Sequence, residues 1–527
     1  MNPRASRALL ALSGVTALFA VTPLAYLCIR VLEVGPAQIA EVLVRQRTVE
    51  TVLTSVELVV VVMVACVAIG VPISYALSRI KLPYAAFWTV LFSLPLAIPS
   101  YVAAYAWLAE FPAMSGFWAA ALVLTLVSTP YVIIPTTIAF RSSDPALEEV
   151  SRSLGRGPLR TFWSATMPQT WPVTAAGALL VGLYVLSDFG AVALFRVDAF
   201  TRVIYTSYRG SFDRSTAAVL AVVLVVLALV LVLGERRIRG RVARWRTSSG
   251  SVRSSLPIVL KPLHTMGVLL GLVIVIGLSI GVPIFSLVSR LVEGSRRPLD
   301  VAELLNASVN SIWIAGLGAL IAVLCALPIG LLAARSTSRT VRALEMVSYS
   351  GHALPGIVVG LSLVFFTLRV VPAIYQTIIT LAIAYAILFL PKSIGATRTS
   401  VAAVPPVLEQ TARTLGRSPL QAWAGTTLRL SAPGIAAGGL LVWLTAMKEL
   451  PATLMLRPTG FDTLATELWS RTEIASYGAA APYALALIVI AAVPAWLLTW
   501  ASEKSLRTPT DMDLNESLRV MDSTVIR

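Results

Sequence analysis

The sequence predicts an all-α integral membrane protein of about twelve spans, built as two homologous six-helix halves. Three observations carry that expectation: apolar residues fall in runs long enough to cross a bilayer, basic residues collect in alternate loops, and the second half repeats the first. Apolar residues make up 57% of the 527 residues and charged residues only 13%, against about 45–50% and about 25% in soluble domains. Runs such as 8–27 and 217–233 match the roughly 20 residues a helix needs to cross about 30 Å of hydrocarbon. Lipid offers the backbone no hydrogen-bond partner, so such runs must be helical.

In chain order, the spans centre near residues 18, 64, 97, 127, 183, 224, 277, 320, 356, 382, 442 and 491. The expected units are a first half at 1–235, a linker at 236–262, a second half at 263–505 and a tail at 506–527. The +16 net charge would suggest nucleic acid in a soluble chain. Here the basic residues sit beside spans instead. The linker carries Arg236, Arg237, Arg239, Arg241, Arg244, Arg246, Arg253 and Lys261. Arg79 and Lys81, then Arg152, Arg156 and Arg160, then Arg335, Arg339 and Arg342, then Arg413 and Arg417, occupy the other loops on the same side. Cytoplasmic loops are enriched in Lys and Arg, so both termini are expected in the cytoplasm of a bacterial cell with the chain threaded through its membrane. No nucleic-acid recognition motif accompanies the charge, so the partner is the lipid bilayer. Cys28, Cys66 and Cys325 lie in apolar runs without paired spacing, which predicts neither disulfide nor metal site.

The repeat is legible residue by residue. Residues 153–159, Ser-Leu-Gly-Arg-Gly-Pro-Leu, return as Thr-Leu-Gly-Arg-Ser-Pro-Leu at 414–420, an offset of 261. Arg152 matches Arg413 and Pro172 matches Pro433 at the same offset. Earlier in each half the offset is 256, pairing Pro72 with Pro328, Arg79 with Arg335 and Pro99 with Pro355. An even number of spans precedes the second half, so the repeat is parallel, about an axis along the membrane normal.

The repeated loop carries the most specific chemistry. A short amphipathic stretch ends on Gly155 or Gly416, which tolerate the positive φ of a helix stop. Pro158 or Pro419 then starts a second helix at its first turn. Two short helices joined by a sharp bend are expected to form a compact knob. Glu149, Gly155 and Pro168 have the spacing of a known motif. It resembles the Glu-Ala-Ala loop of bacterial ABC importer permeases: Glu-Ala-Ala, three residues, Gly, nine residues, then Ile-x-Leu-Pro. In the second copy Gln410 stands for the Glu and Arg429 for the Pro, which leaves open whether both copies grip a partner equally. The resemblance implies the type I importer permease fold, with Glu149, Gly155, Arg156, Pro168, Gln410, Gly416 and Arg417 docking on an ATPase dimer. It also implies an extracytoplasmic binding protein that delivers the substrate. None of the five lysines follows a glycine, so the chain has no P-loop. ATP is expected on the partner, with no cofactor on this chain and no enzymatic activity of its own. Residues 187–191, Ser-Asp-Phe-Gly-Ala, and 448–452, Lys-Glu-Leu-Pro-Ala, resemble segments of the fused two-half permeases that import ferric ions. Fused permeases for thiamine, phosphonates and polyamines share that layout. A secondary transporter also uses about twelve spans in two parallel halves, but it needs no doubled loop.

Within the spans, Pro99 and Pro355 fall mid-helix at matching positions, where proline kinks or breaks the helix. Paired breaks point to a translocation path. Asp188 and Glu449 match at offset 261. An acid at a helix centre costs roughly 2.5–3.5 kcal/mol to insert, so both are expected to face a cavity or a partner. With Tyr184 one turn before Asp188, the hard oxygen donors suggest an outer mouth that receives or steers a cation, as a transient metal contact. The alternative is that the acids pair with Arg196 and Arg457 and fix helix ends.

Overall fold

A computed structural model describes residues 3–209, 214–245, 257–294 and 300–506. The described residues are helical apart from turns and one isolated bridge, Ile80 to Ile258. Among the described residues nine helices are long and apolar enough to cross a membrane, and two further helix pairs pass the same test if each bent pair is one span. The apolar helix Tyr477–Val493, shorter than that test requires, stands at the twelfth expected position. Each of the twelve expected centres falls on one of these elements. Four sit off-middle: 183, 442 and 491 lie near the ends of Pro158–Ser187, Pro419–Met447 and Tyr477–Val493, and 382 near the start of Ile378–Ala402. The first two helices begin with polar turns that the hydropathy pattern assigned to a loop.

The third and ninth spans are not kinked rods. Ala85–Ala97 meets Ser100–Glu110 at 91°, and Arg339–Gly351 meets Gly356–Val370 at 97°. Each first arm ends in a 3₁₀ turn, Leu94–Ala97 or Tyr349–Ala353. Pro99 and Pro355 are the N-caps of the second arms, in extended conformation. Of the two outcomes expected at these prolines, a kink or a break, the structure shows a break at both. Proline lacks an N–H, and the residue before it is pushed out of the α region, so the chain stops, turns a right angle and restarts. Ser100–Glu110 has 11 residues, about 16 Å at 1.5 Å per residue. That is roughly half the hydrocarbon depth, which puts the break deep in the bundle.

Small residues set the helix spacing. In the second half Gly434 and Gly438 face Ser400 and Ala396, and a Cβ on Gly438 would lie 2.3 Å from that of Ala396. Such small-residue stripes let backbones approach where no hydrophobic force separates helix from lipid.

The two halves share one continuous apolar core and exchange their outer helices. The first span lies against the second half. Ala20 packs with Ala326, Ile329, Leu390 and Ile394, Tyr26 meets Phe366 edge-on at 5.6 Å, and Thr16 donates to the Cys325 carbonyl at 2.9 Å. Reciprocally, Leu272 of the seventh span joins Ile73, Leu77, Phe92 and Ile133 of the first half. The sixth helix runs on to Trp245, into the linker. The rest of the basic stretch up to residue 256 lies outside the described residues, as does the tail from 507. The linker's far end is pinned beside the second span, with Ile258 N–H donating to Arg79 O at 2.7 Å and Lys81 N–H to Ile258 O at 3.0 Å.

Candidate functional site

The repeated loops lie at one end of the bundle. In the first copy Asp144 caps the helix Pro145–Ser153 by accepting from Ala146 N–H at 2.9 Å. The helix ends at Gly155 with φ +77°, and the second copy ends at Gly416 with φ +84°. The closing hydrogen bonds repeat as well: Arg156 N–H to Ser151 O at 3.3 Å, and Arg417 N–H to Ala412 O at 3.2 Å. This six-to-one bond is the Schellman stop. The second short helix is not separate. Pro158–Thr161 runs through a π turn at Phe162–Thr166 into Met167–Ser187, and Pro419–Trp423 does the same through Ala424–Leu428. The knob is therefore one short helix and the foot of a span, so a push on it acts directly on the fifth or eleventh helix. Pro168 lies just past the first π turn, but the second turn forms before Arg429, so the proline is not its cause. Glu149, Arg156, Gln410 and Arg417 are exposed. So are Leu154, Leu159, Leu415 and Leu420, each at least 69% accessible. Matched exposed leucines on a polar loop are candidate apolar anchors for a partner.

The loops differ beneath the surface. Glu148, which sequence reasoning passed over, is buried and paired with Arg79 at 2.9 Å, and Arg79 also donates to Ser143. The equivalent Arg335 instead donates to the Val404 carbonyl at 2.9 Å. The matching Glu409 accepts only from Thr427, at 3.3 Å. The first loop is thus locked to the second span by a buried ion pair, while the second is tied to the eighth span through a backbone carbonyl. Removing one partner of a buried pair costs roughly 3–5 kcal/mol, so Glu148→Ala is expected to lower the thermal unfolding midpoint of the detergent-solubilised protein. Glu409→Ala, losing one weak hydrogen bond worth about 1 kcal/mol, should shift it far less; equal shifts would refute the lock.

Deep in the bundle, the structure gathers the expected pathway residues. Asp188 and Glu449 follow the fifth and eleventh helices, and both are buried. Asp188 Oδ1 accepts from the N–H groups of Ala191 at 2.9 Å and Val192 at 3.4 Å, and Oδ2 accepts from Ser100. Glu449 Oε1 accepts from Ala452 N–H at 2.9 Å, and Oε2 accepts from Thr453 N–H at 3.0 Å and its hydroxyl at 2.8 Å. Each acid therefore caps the short helix that follows it. Neither pairs with Arg196 or Arg457; Arg457 bonds Asp462. Their oxygens are spent on these bonds, so the mouth-lining, metal-contacting role is not what the geometry favours. Among the described residues no three His, Cys, Asp or Glu converge to hold a metal. Tyr184 lies with its ring 5.6 Å from that of Tyr131, the planes tilted by 43°, beside Ser100 and Asp188.

Each acid also touches the break in its own half. Ser100, directly after Pro99, donates to Asp188. Gly356, directly after Pro355, lies so close to Glu449 that a Cβ there would be 2.5 Å from Oε1. The longer acid fills the space that the serine side chain fills in the other half. The fold therefore holds two pseudo-symmetric right-angle breaks, each clasped by an acid-capped helix, as candidate gates in a membrane-spanning bundle.

The comparisons with known proteins agree. The family described as "Binding-protein-dependent transport system inner membrane component" matches residues 67–244 and 326–506. The Fe(3+)-transport system permease protein FbpB 2 of Haemophilus influenzae is 36% identical over 481 residues, covering 90% of this chain and 94% of that protein. The ferric transport system permease protein FbpB of Actinobacillus pleuropneumoniae is 24% identical over 400 residues, 71% of this chain and 57% of that protein. The molybdate/tungstate transport system permease protein WtpB of Pyrococcus furiosus is 29% identical over 175 residues, 33% of this chain and 70% of that protein. The chain belongs to the family of binding-protein-dependent transport system inner membrane components, with the family's unit present twice. It is a multi-pass membrane transport subunit, not an enzyme.

Proposed function

We propose that this chain is the membrane pore of an ATP-driven importer of ferric iron. The observation that carries the reading is the 36% identity to the Haemophilus influenzae Fe(3+) permease over 94% of that protein's length. The molybdate/tungstate relative matches only 33% of this chain. In this reading an extracytoplasmic binding protein delivers the cargo at the end opposite the loops. A separate cytoplasmic ATPase dimer binds ATP and grips the loops through Glu149, Gly155, Arg156 and Pro168 on one side and Gln410, Gly416 and Arg417 on the other. Both termini and the 236–262 linker lie in the cytoplasm, following the basic loops. The halves at 1–235 and 263–505 contribute one gate each. Asp188 and Glu449 act by fixing the gates, with Tyr184 packed beside the first.

The test is ATP hydrolysis by the reconstituted complex, offered candidate binding proteins loaded with ferric iron, molybdate, thiamine, a phosphonate or a polyamine. The iron-loaded protein is expected to raise the rate about tenfold, a stabilisation of the coupled state by about 1.4 kcal/mol. Stimulation by another cargo, with none by iron, overturns the reading.

A further inference from the structure

The acids are consumed as caps, and what remains facing the gates is basic. Lys448 ends the eleventh helix and reaches across to the other half, where its ammonium donates to the Leu96 carbonyl in the 3₁₀ turn of the first gate at 3.0 Å. Lys392, beside Pro391 in the tenth span, donates to the Thr445 hydroxyl at 3.0 Å and lies 5.1 Å from the Phe389 ring centre. The two ammonium groups are within electrostatic reach of each other. Among the described residues neither forms an ion pair with a carboxylate; each has one neutral oxygen partner for its three donors. Both side chains remain partly accessible among buried neighbours. In the first half the matching positions, at offset 261, are Tyr131 and Ser187, both neutral, so the cations are not demanded by the repeat. A charge inside a membrane bundle faces a partner or a path, and two unpaired charges of one sign lack the partner.

We propose that Lys392 and Lys448 form an oxyanion subsite at the first gate, and that iron passes it as an anionic complex rather than as a bare cation. This rests on the ferric reading for the iron, but not for the subsite. Coulomb repulsion grows with the product of charges, so two ammonium groups oppose a bare trivalent ion three times as strongly as a monovalent one. Companions that bring more than three negative charges, two phosphates or a fully deprotonated citrate, reverse the sign, and their oxygens accept the donors that Leu96 and Thr445 leave over. The relative named for molybdate/tungstate transport shows that anion carriage is within reach of this architecture.

The experiment is equilibrium binding of labelled inorganic phosphate and of labelled citrate to the purified complex without iron, followed by uptake of labelled iron into proteoliposomes with each labelled anion. Saturable binding of at least one anion is expected, weakened about tenfold or more in the Lys392→Gln/Lys448→Gln variant and kept by Lys392→Arg/Lys448→Arg. The anion that binds should enter with the iron. The phosphate and citrate arms separate the two sources of the same chemistry. No saturable binding to the wild-type complex, or equal binding to the glutamine variant, overturns the subsite. Iron uptake with neither label accompanying it overturns passage as an anionic complex. Lysine-dependent binding in a complex that carries no iron leaves the subsite standing and removes the ferric reading.

Discussion

Replacing Gly155 and Gly416 together with leucine is expected to abolish cargo-stimulated ATP hydrolysis and to release the ATPase when the complex is purified. No atom lies within 4 Å of a Cβ built on either glycine, so the penalty is in the backbone alone. A residue with a side chain in the left-handed region costs roughly 1–2 kcal/mol. That is too little to unfold the bundle, but it removes the stop that turns Leu154, Leu159, Leu415 and Leu420 outward. Of the single variants, Gly155→Leu should be the worse. Its loop keeps Glu149 and Pro168, and the Arg79–Glu148 pair beneath it leaves it no slack to relax. Recovery of the ATPase at wild-type yield, with full uptake by the double variant, would sink the docking assignment.

The second large effect is at the other gate. Gly356→Ser should be strongly destabilising, because its Cβ would stand 2.5 Å from Glu449 Oε1 and push the carboxylate off the N–H groups of Ala452 and Thr453. Buried groups left without a partner cost about 1–3 kcal/mol each. Adding Glu449→Asp rebuilds the serine–aspartate arrangement of Ser100 and Asp188, so the pair should recover much of the loss. A double-mutant cycle on thermal unfolding of the solubilised protein is expected to give a coupling of about 2 kcal/mol. Additive losses would show that the two halves do not interchange these solutions.

The broad plan was legible because it depends on quantities a sequence displays directly. Apolar run length gives spans, and a repeated Leu-Gly-Arg gives the matched loops. Glycine after an amphipathic stretch gave the stops at Gly155 and Gly416 correctly. What escaped notice was set by contacts between distant residues. Pro99 and Pro355 announce a break, but its right angle depends on what the second arm packs against. Arg79 and Glu148 stand 69 residues apart, and nothing local marks Glu148 over its exposed neighbour Glu149. The capping role of Asp188 was readable in principle: its side chain meets the N–H three residues on, a standard N-cap spacing. Intramembrane acids invited a pathway reading instead, while Lys392 and Lys448, fewer in signal and unmatched in the repeat, drew none.

The exchanged first helices decide which bodies can move. Because the first span is fastened to Cys325 and Phe366 and the seventh to Ile73 and Leu77, the chain's two halves are not its two mechanical parts. When the gates part, residues 7–34 should travel with the second gate, and the seventh span with the first. The turn at Gly35 after the first span, with φ +84°, then acts as a hinge that crosses between bodies. Opening is less a separation of two bundles than the sliding of two clasped hands, and full dissociation is forbidden by the clasp itself.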